Sequence, residues 1–185
     1  LVWCIQQIDK QYPQYDVWKE FGKDVKKVMN LYLEHKISFR IDENGMVYNT
    51  SDAVANTWMN ATIHGRPVMP RNGYAVETNA LWYNAIMYVL DKSKGDKTFG
   101  KKWAELAEKV KGSFVATFWN DERGYLADYV TYDYANTQVR PNQLLACAVD
   151  YTMLDKHQIK AVLRVVEEQL MTAYGIRSLT PDDPR

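Results

Sequence analysis

Cysteine is scarce in this chain of 185 residues: Cys4 and Cys147 each sit in an apolar stretch, without C-x-x-C or metal-ligand spacing. A disulfide scaffold is therefore excluded, and both are read as buried thiols of a reducing compartment. Net charge is also missing, because 23 Lys and Arg offset 23 Asp and Glu. No field of one sign draws the chain to nucleic acid or an anionic lipid surface, and no basic run interleaved with aromatics appears. No apolar run approaches the roughly 18 residues of a membrane span. The opening LVWCIQQI has no Met and no basic region leading to a cleavage site. The chain is accordingly read as cytoplasmic, without nucleic-acid or membrane partners, and as a fragment that begins within or just before a helix. Histidine is sparse as well, and His35 and His64 are isolated surface residues on this reading. No Asp-rich motif lies on any expected helix, so no metal or other cofactor is expected.

What the chain does have is aromatic residues, 13 Tyr and 6 Trp among them, and a helical rhythm. A helix end is expected over 1–11. A second helix, from Gln14 to about Lys36, carries Val17, Phe21, Val25, Val28, Met29, Tyr32 and Leu33 on one face. Two short alternating runs then flank Asn44-Gly45, a strong hairpin signal. A helix from Ala75 to Asp91 is apolar around much of its circumference, as burial on several sides requires. From Thr98 to Trp119 an amphipathic helix aligns Phe99, Trp103, Leu106, Ala107, Val110, Phe114 and Phe118. The pattern then returns: WNDERGYLADYV matches RIDENGMVY, each with Asp-Glu before its Gly. Pro141 starts a mostly apolar helix through Leu154, and a last amphipathic helix runs from Lys156 to Tyr174. GIRSLTPDDP resembles the start of a third crossing.

The unit is thus outer amphipathic helix, short β excursion, polar loop and inner apolar helix. Repetition of such a unit predicts a helical solenoid or closed toroid in one domain, 1–185. The loops at 51–74, 128–140 and 176–185 each lead toward an inner helix, so they should meet on one rim.

On that rim one stretch concentrates chemistry. TWMNATIHGRPVMPRNGYAVETNALWYN, residues 57–84, interleaves Trp58, Trp82 and Tyr83 with Asn60, His64, Arg66, Arg71, Asn72, Glu77, Asn79 and Asn84. Flat apolar faces suit the C–H side of a sugar ring, while amides, guanidinium groups and a carboxylate pair with its hydroxyls. A sugar pocket is expected here, although aromatic core plus a solvated loop would read similarly. Asp128 and Asp133 are read as solvated loop carboxylates, and Asp52 as a turn former.

TWMNA, GRPVMPRNGYAVETNALWYNA, RPNQLLA and YGIRSLTPDDP together resemble, in the same order, the amylo-α-1,6-glucosidase domain of bacterial glycogen-debranching enzymes. The resemblance spans most of residues 37–185. It implies an all-α fold of the (α/α)6 toroid type, here a partial barrel of about three helical hairpins with β-hairpin excursions. It also implies hydrolysis of α-1,6-linked glucose at branch points of glycogen or limit dextrin by a carboxyl pair, one protonating the leaving oxygen while the other activates water. The remainder of the polypeptide would close the barrel. The family motif reads Thr-Trp-Met-Asp, whereas this chain has Asn60, whose carboxamide has no proton to transfer. Glu77 is the carboxylate remaining near the pocket, as an acid or as a partner of Arg71. Trp58, Arg71, Asn79, Trp82, Tyr83, Arg140, Asn142 and Gln143 form the expected substrate-binding set. Two other functions compete with hydrolysis: a binding-only relative that keeps the pocket, and a helical-repeat interaction module.

Overall fold

The computed structural model describes residues 1–34 and 38–183, with residues 97 and 98 described by their backbone alone. The expectation for His35, and the run of the second helix to Lys36, lie outside the described residues. About half of the chain is helical, and short hairpins punctuate the helices.

Outer and inner helices start differently. The outer helices α2 (Val17–Leu33), α4 (Lys97–Phe118) and α6 (Lys156–Gln169) each open on an aspartate cap, Asp16, Asp96 and Asp155. Each carboxylate accepts from a main-chain N–H of the first turn, a contact that stabilises a helix by about 1 kcal/mol. In α6 Gln158 reciprocates to Asp155, completing a capping box. The inner helices α1 (Val2–Gln11), α3 (Val76–Lys92) and α5 (Leu144–Ala148) start without a side-chain cap. In α3, which packs against α1, α2, α4 and α5, the orphan Val76 N–H is taken instead by Asp128 O of a neighbouring loop at 3.1 Å.

Each outer helix is followed by a hairpin. α2 leads to β1 (Phe39–Ile41) and β2 (Val47–Asn49), α4 to β6 (Trp119–Asn120) and β7 (Tyr125–Leu126), and α6 to β10 (Met171–Thr172) and β11 (Gly175–Ile176). In the first, Gly45 N–H donates to Asp42 O with Gly45 at φ +83°, a left-handed position where a β-carbon would be strained. A further hairpin, β3 (Thr62–Ile63) with β4 (Arg66–Pro67), lies inside the long loop.

The polar loops do meet. β5 (Tyr74–Ala75) pairs antiparallel with β8 (Tyr129–Val130), which pairs with β9 (Ala135–Asn136). Asn49 and Gly73 exchange two main-chain hydrogen bonds of 2.9 Å, which tie β2 to the same seam. A β-carbon on Gly73 would stand 2.4 Å from Val130 O, so this seam closes only with glycine there. The tail joins through Thr180 N–H to Val139 O at 3.2 Å and Gln138 Nε2 to Asp183 Oδ2 at 2.7 Å.

Several expectations need correcting. After Pro141 a 3-10 turn (Pro141–Gln143) leads into α5, which stops at Ala148 rather than Leu154. Val149 turns extended, Thr152 Oγ donates to Ala146 O at 2.7 Å, and Tyr151 N–H goes to Asn84 Oδ1 at 3.1 Å. α6 stops at Gln169 rather than Tyr174, because the chain reverses into β10 and β11. Phe21 is exposed, whereas Val17, Val25 and Met29 of its stripe are buried. Cys4 is exposed and Cys147 half-buried, against the expectation of two buried thiols. On α1 the face toward the core is Val2, Ile5 and Gln6, and Cys4 lies off it. The described residues show helices punctuated by short hairpins with no ring closed, in keeping with the partial helical fragment expected. No described helix is long and apolar enough to cross a membrane.

Candidate functional site

Where the loops meet, the sequence delivers four charged side chains into a buried cluster. Arg71 follows Pro70 at the end of the long loop, and its carbonyl accepts from Asn49 Nδ2 at 3.2 Å. Its guanidinium forks onto Glu77, pairing Nη1 with Oε1 and Nη2 with Oε2, the latter at 2.8 Å. Glu77 lies in the first turn of α3, where the helix N-terminus also favours a negative charge. The other side of Arg71 meets Asp128: Nε lies 3.1 Å from Oδ2, and Nη2 donates to Asp128 O at 3.0 Å and Oδ1 at 3.2 Å. Arg140 completes the set with Nε 3.8 Å from Asp128 Oδ2, while its Nη1 donates to Ser178 O at 3.1 Å. All four residues are buried. Two cations and two anions balance there, and breaking such a set strands a charge at a cost of several kcal/mol.

Burial lifts the Asp128 carboxyl above its ordinary range; Arg71 opposes the rise, the Glu77 charge adds to it, and Asn142 and Arg140 oppose it further. For Arg71 burial acts to depress the guanidinium, but Glu77 and Asp128 outweigh it, so the group is a fixed cation.

Above this cluster stands Trp58, 57% exposed although it is a large apolar side chain. Its Nε1–H donates to Asn142 Oδ1 at 2.9 Å, and Asn142 Nδ2 donates to Asp128 Oδ1 at 2.6 Å. Asn60 is exposed two residues further along, its N–H donating to Trp58 O at 3.0 Å. Trp58, Arg71, Glu77, Arg140 and Asn142 are thus brought together, with Asn60 on the adjoining rim.

The other residues of the expected set stand apart from this group, engaged within the fold. Asn79 spends its amide on main chain, accepting from Val47 N–H at 2.8 Å and donating to Val47 O at 3.1 Å and Ala75 O at 3.0 Å. Trp82 is buried between Tyr32 and Trp103, and its indole N–H donates to Gly45 O at 3.0 Å. Tyr83 is core, and burial raises its phenol. Gln143 braces β7, accepting from Leu126 N–H at 3.3 Å and donating to Arg140 O at 3.2 Å. Asn79, Trp82 and Tyr83 lie near Glu77 in sequence, but α3 has several buried faces and only one of them meets the rim.

Asp128 is the reverse case, a residue read as solvated that is 2% exposed at the centre of the cluster. Its signal was the internal repeat. Asn49 and Asp128 each lie four residues after the turn glycine, Gly45 or Gly124, and both bind Arg71. Among the described residues no group of three His, Cys, Asp or Glu side chains is placed to hold a metal ion.

A two-helix repeat whose rim loops converge on a buried charge cluster beneath an exposed aromatic describes a helical fold with its candidate site on the loops. The chain belongs to the amylo-alpha-1,6-glucosidase family, whose model matches residues 1–185. Among curated proteins it is similar to the glycogen debranching enzyme of Saccharomyces cerevisiae (strain ATCC 204508 / S288c), 26% identical over 181 residues. That match covers 75% of this chain and only 12% of the relative's length.

Proposed function

We propose that this chain supplies the sugar-binding rim of a glycoside hydrolase domain acting on α-1,6-linked glucose at branch points of glycogen or a limit dextrin. Family membership supports the substrate class. The observation that carries the site is Trp58, an exposed indole held over a buried charged floor. A sugar ring stacks its C–H face on such an indole, and rim polar groups satisfy its hydroxyls. The barrel of the (α/α)6 type would be closed by further polypeptide, and no cofactor enters the reaction. Hydrolysis uses an acid and a base carboxyl about 6.5–9.5 Å apart when it inverts the anomeric centre.

A second reading has its own observation. Asn60 occupies the position where the family motif has Asp, and both oxygens of Glu77 are engaged by Arg71. Neither residue is poised to protonate a leaving oxygen, which favours a site that binds α-glucan with turnover diminished.

Glucose release from an α-1,6-branched limit dextrin, measured on the polypeptide that contains this chain, tests both. General acid catalysis contributes about 10²–10⁴-fold, so Asn60→Asp is expected to raise release by at least about 100-fold. Equal release by the two forms would overturn the role given to this position. No release from either, with dextrin bound, would overturn hydrolysis and leave the binding function.

A further inference from the structure

The hydrogen bonds beneath Trp58 form a chain whose direction is fixed at both ends. An indole N–H only donates, and a carboxylate only accepts. Asn142 lies between them and has one group of each kind. With Asp128 Oδ1 at 2.6 Å, its Nδ2 must face the carboxylate, which turns Oδ1 toward Trp58 Nε1 at 2.9 Å. Reversing the amide would set an NH2 group against the indole N–H and an oxygen against the carboxylate, losing both bonds. Asp128 is itself immobilised, since Arg71 grips its carboxylate and its carbonyl, and that carbonyl also accepts from the N-terminus of α3. The rigid end of the chain is therefore a helix start, and the free end is an exposed ring.

We infer that Asp128 and Asn142 are positioning residues that fix the tilt of Trp58, so that its exposed face is held ready for a sugar ring before the ligand arrives. An exposed Trp on a long loop would otherwise sample several rotamers, and ordering a side chain on binding costs roughly 0.5–1.5 kcal/mol. Met59 Sδ, 3.4 Å from Asn142 Nδ2, sits against the same amide and leaves it little room to rotate. For its ligand the inference rests on the sugar-site reading above; for its geometry it does not.

The experiment has two independent readouts on the polypeptide that contains this chain. The first needs no sugar: hydrogen exchange of the Trp58 indole N–H, assigned by its loss in Trp58→Phe. The wild-type proton should exchange at least about tenfold more slowly than in Asn142→Ala, which removes its acceptor, while Asp128→Asn, whose amide keeps one acceptor oxygen but no longer fixes the direction of the chain, should lower the protection. The second is titration with an α-1,6-branched maltooligosaccharide. Trp58→Phe keeps a ring but removes the donor, and like Asn142→Ala it should weaken binding about tenfold. The double variant should lose little more, because each change breaks the same bond. Free exchange of the wild-type indole, or additive losses in the double variant, would overturn the inference. Protection that behaves as expected without any oligosaccharide binding would leave the positioning in place and overturn the sugar reading instead. Trp58→Phe alters a surface residue, so that arm survives even if Asp128→Asn fails to fold.

Discussion

Arg71 and Asp128, 57 residues apart, hold each other through side chain and main chain together: Nη2 to the carbonyl at 3.0 Å, and Nε to Oδ2 at 3.1 Å. The contact joins the loop that precedes α3 to the strand seam of the next repeat. It makes the charged cluster a structural rivet as well as the floor of the candidate site.

Arg71→Met should therefore be severe. It strands Glu77 and Asp128 in a buried site, a loss of about 3–5 kcal/mol. Urea denaturation of the variant beside wild type measures it. A loss below about 1 kcal/mol would mean that water enters the cluster and the pairs are weak.

Asn79→Leu should cost stability without any specific effect on sugar. The substitution leaves Val47 N–H and C=O without their partner, at about 1–3 kcal/mol for each unsatisfied buried group. Whatever fraction of the variant folds should bind oligosaccharide as wild type does. A folded variant with weakened binding would return Asn79 to the ligand.

Asp128 should give the stability curve a definite slope. Its folded carboxyl titrates above the ordinary value, chiefly through burial, so the native state holds this proton to a higher pH than the unfolded chain. Its contribution is in full below the ordinary carboxylate range and is lost as pH rises through the raised value. The unfolding free energy of wild type, minus that of Asp128→Asn, should fall across this window as pH increases. Urea melts at a series of pH values give the difference, and a rising difference would show the carboxyl to be depressed instead.

The two thiols should react at different rates. Cys4 is exposed, whereas burial pushes the Cys147 thiol up to about 11. Little of Cys147 is thiolate at pH 8, and the thiolate is the nucleophile. Iodoacetamide with mass spectrometry should modify Cys4 first and Cys147 fully only in denaturant. Equal rates in the folded state would contradict the packing of α5.

The chain alone should self-associate. Leu1, Trp3 and Ile8 are exposed on and beside α1, next to an apolar groove of about 230 Å³ whose lining includes Met29, Tyr32, Leu81 and Trp82. Large exposed apolar patches favour association. Sedimentation should show oligomers that Trp3→Glu with Ile8→Lys shifts toward monomer. A wild-type monomer with one cooperative melt at every concentration would contradict this.

The helices and hairpins were legible because period and turn chemistry are local. The stripe from Phe99 to Phe118 gave α4, and Asn44-Gly45 gave the first hairpin. Helix ends were less so: Ala148 and Gln169 are set by Thr152, Asn84 and the β10–β11 reversal, which are tertiary facts. In the site, Arg71 with Glu77 was readable from neighbouring sequence. The roles of Asn79 and Trp82 were not, since the face of an inner helix that meets the rim depends on which strand crosses it. Asp128 was legible only by laying one repeat over the other.

The most direct test is calorimetric titration of the polypeptide that contains this chain with an α-1,6-branched maltooligosaccharide, in wild type and Trp58→Ala. The account predicts saturable binding that Trp58→Ala weakens by at least about tenfold, or roughly 1.4 kcal/mol. Binding indifferent to Trp58, or none by wild type, would contradict it and put the exposed indole to some other use.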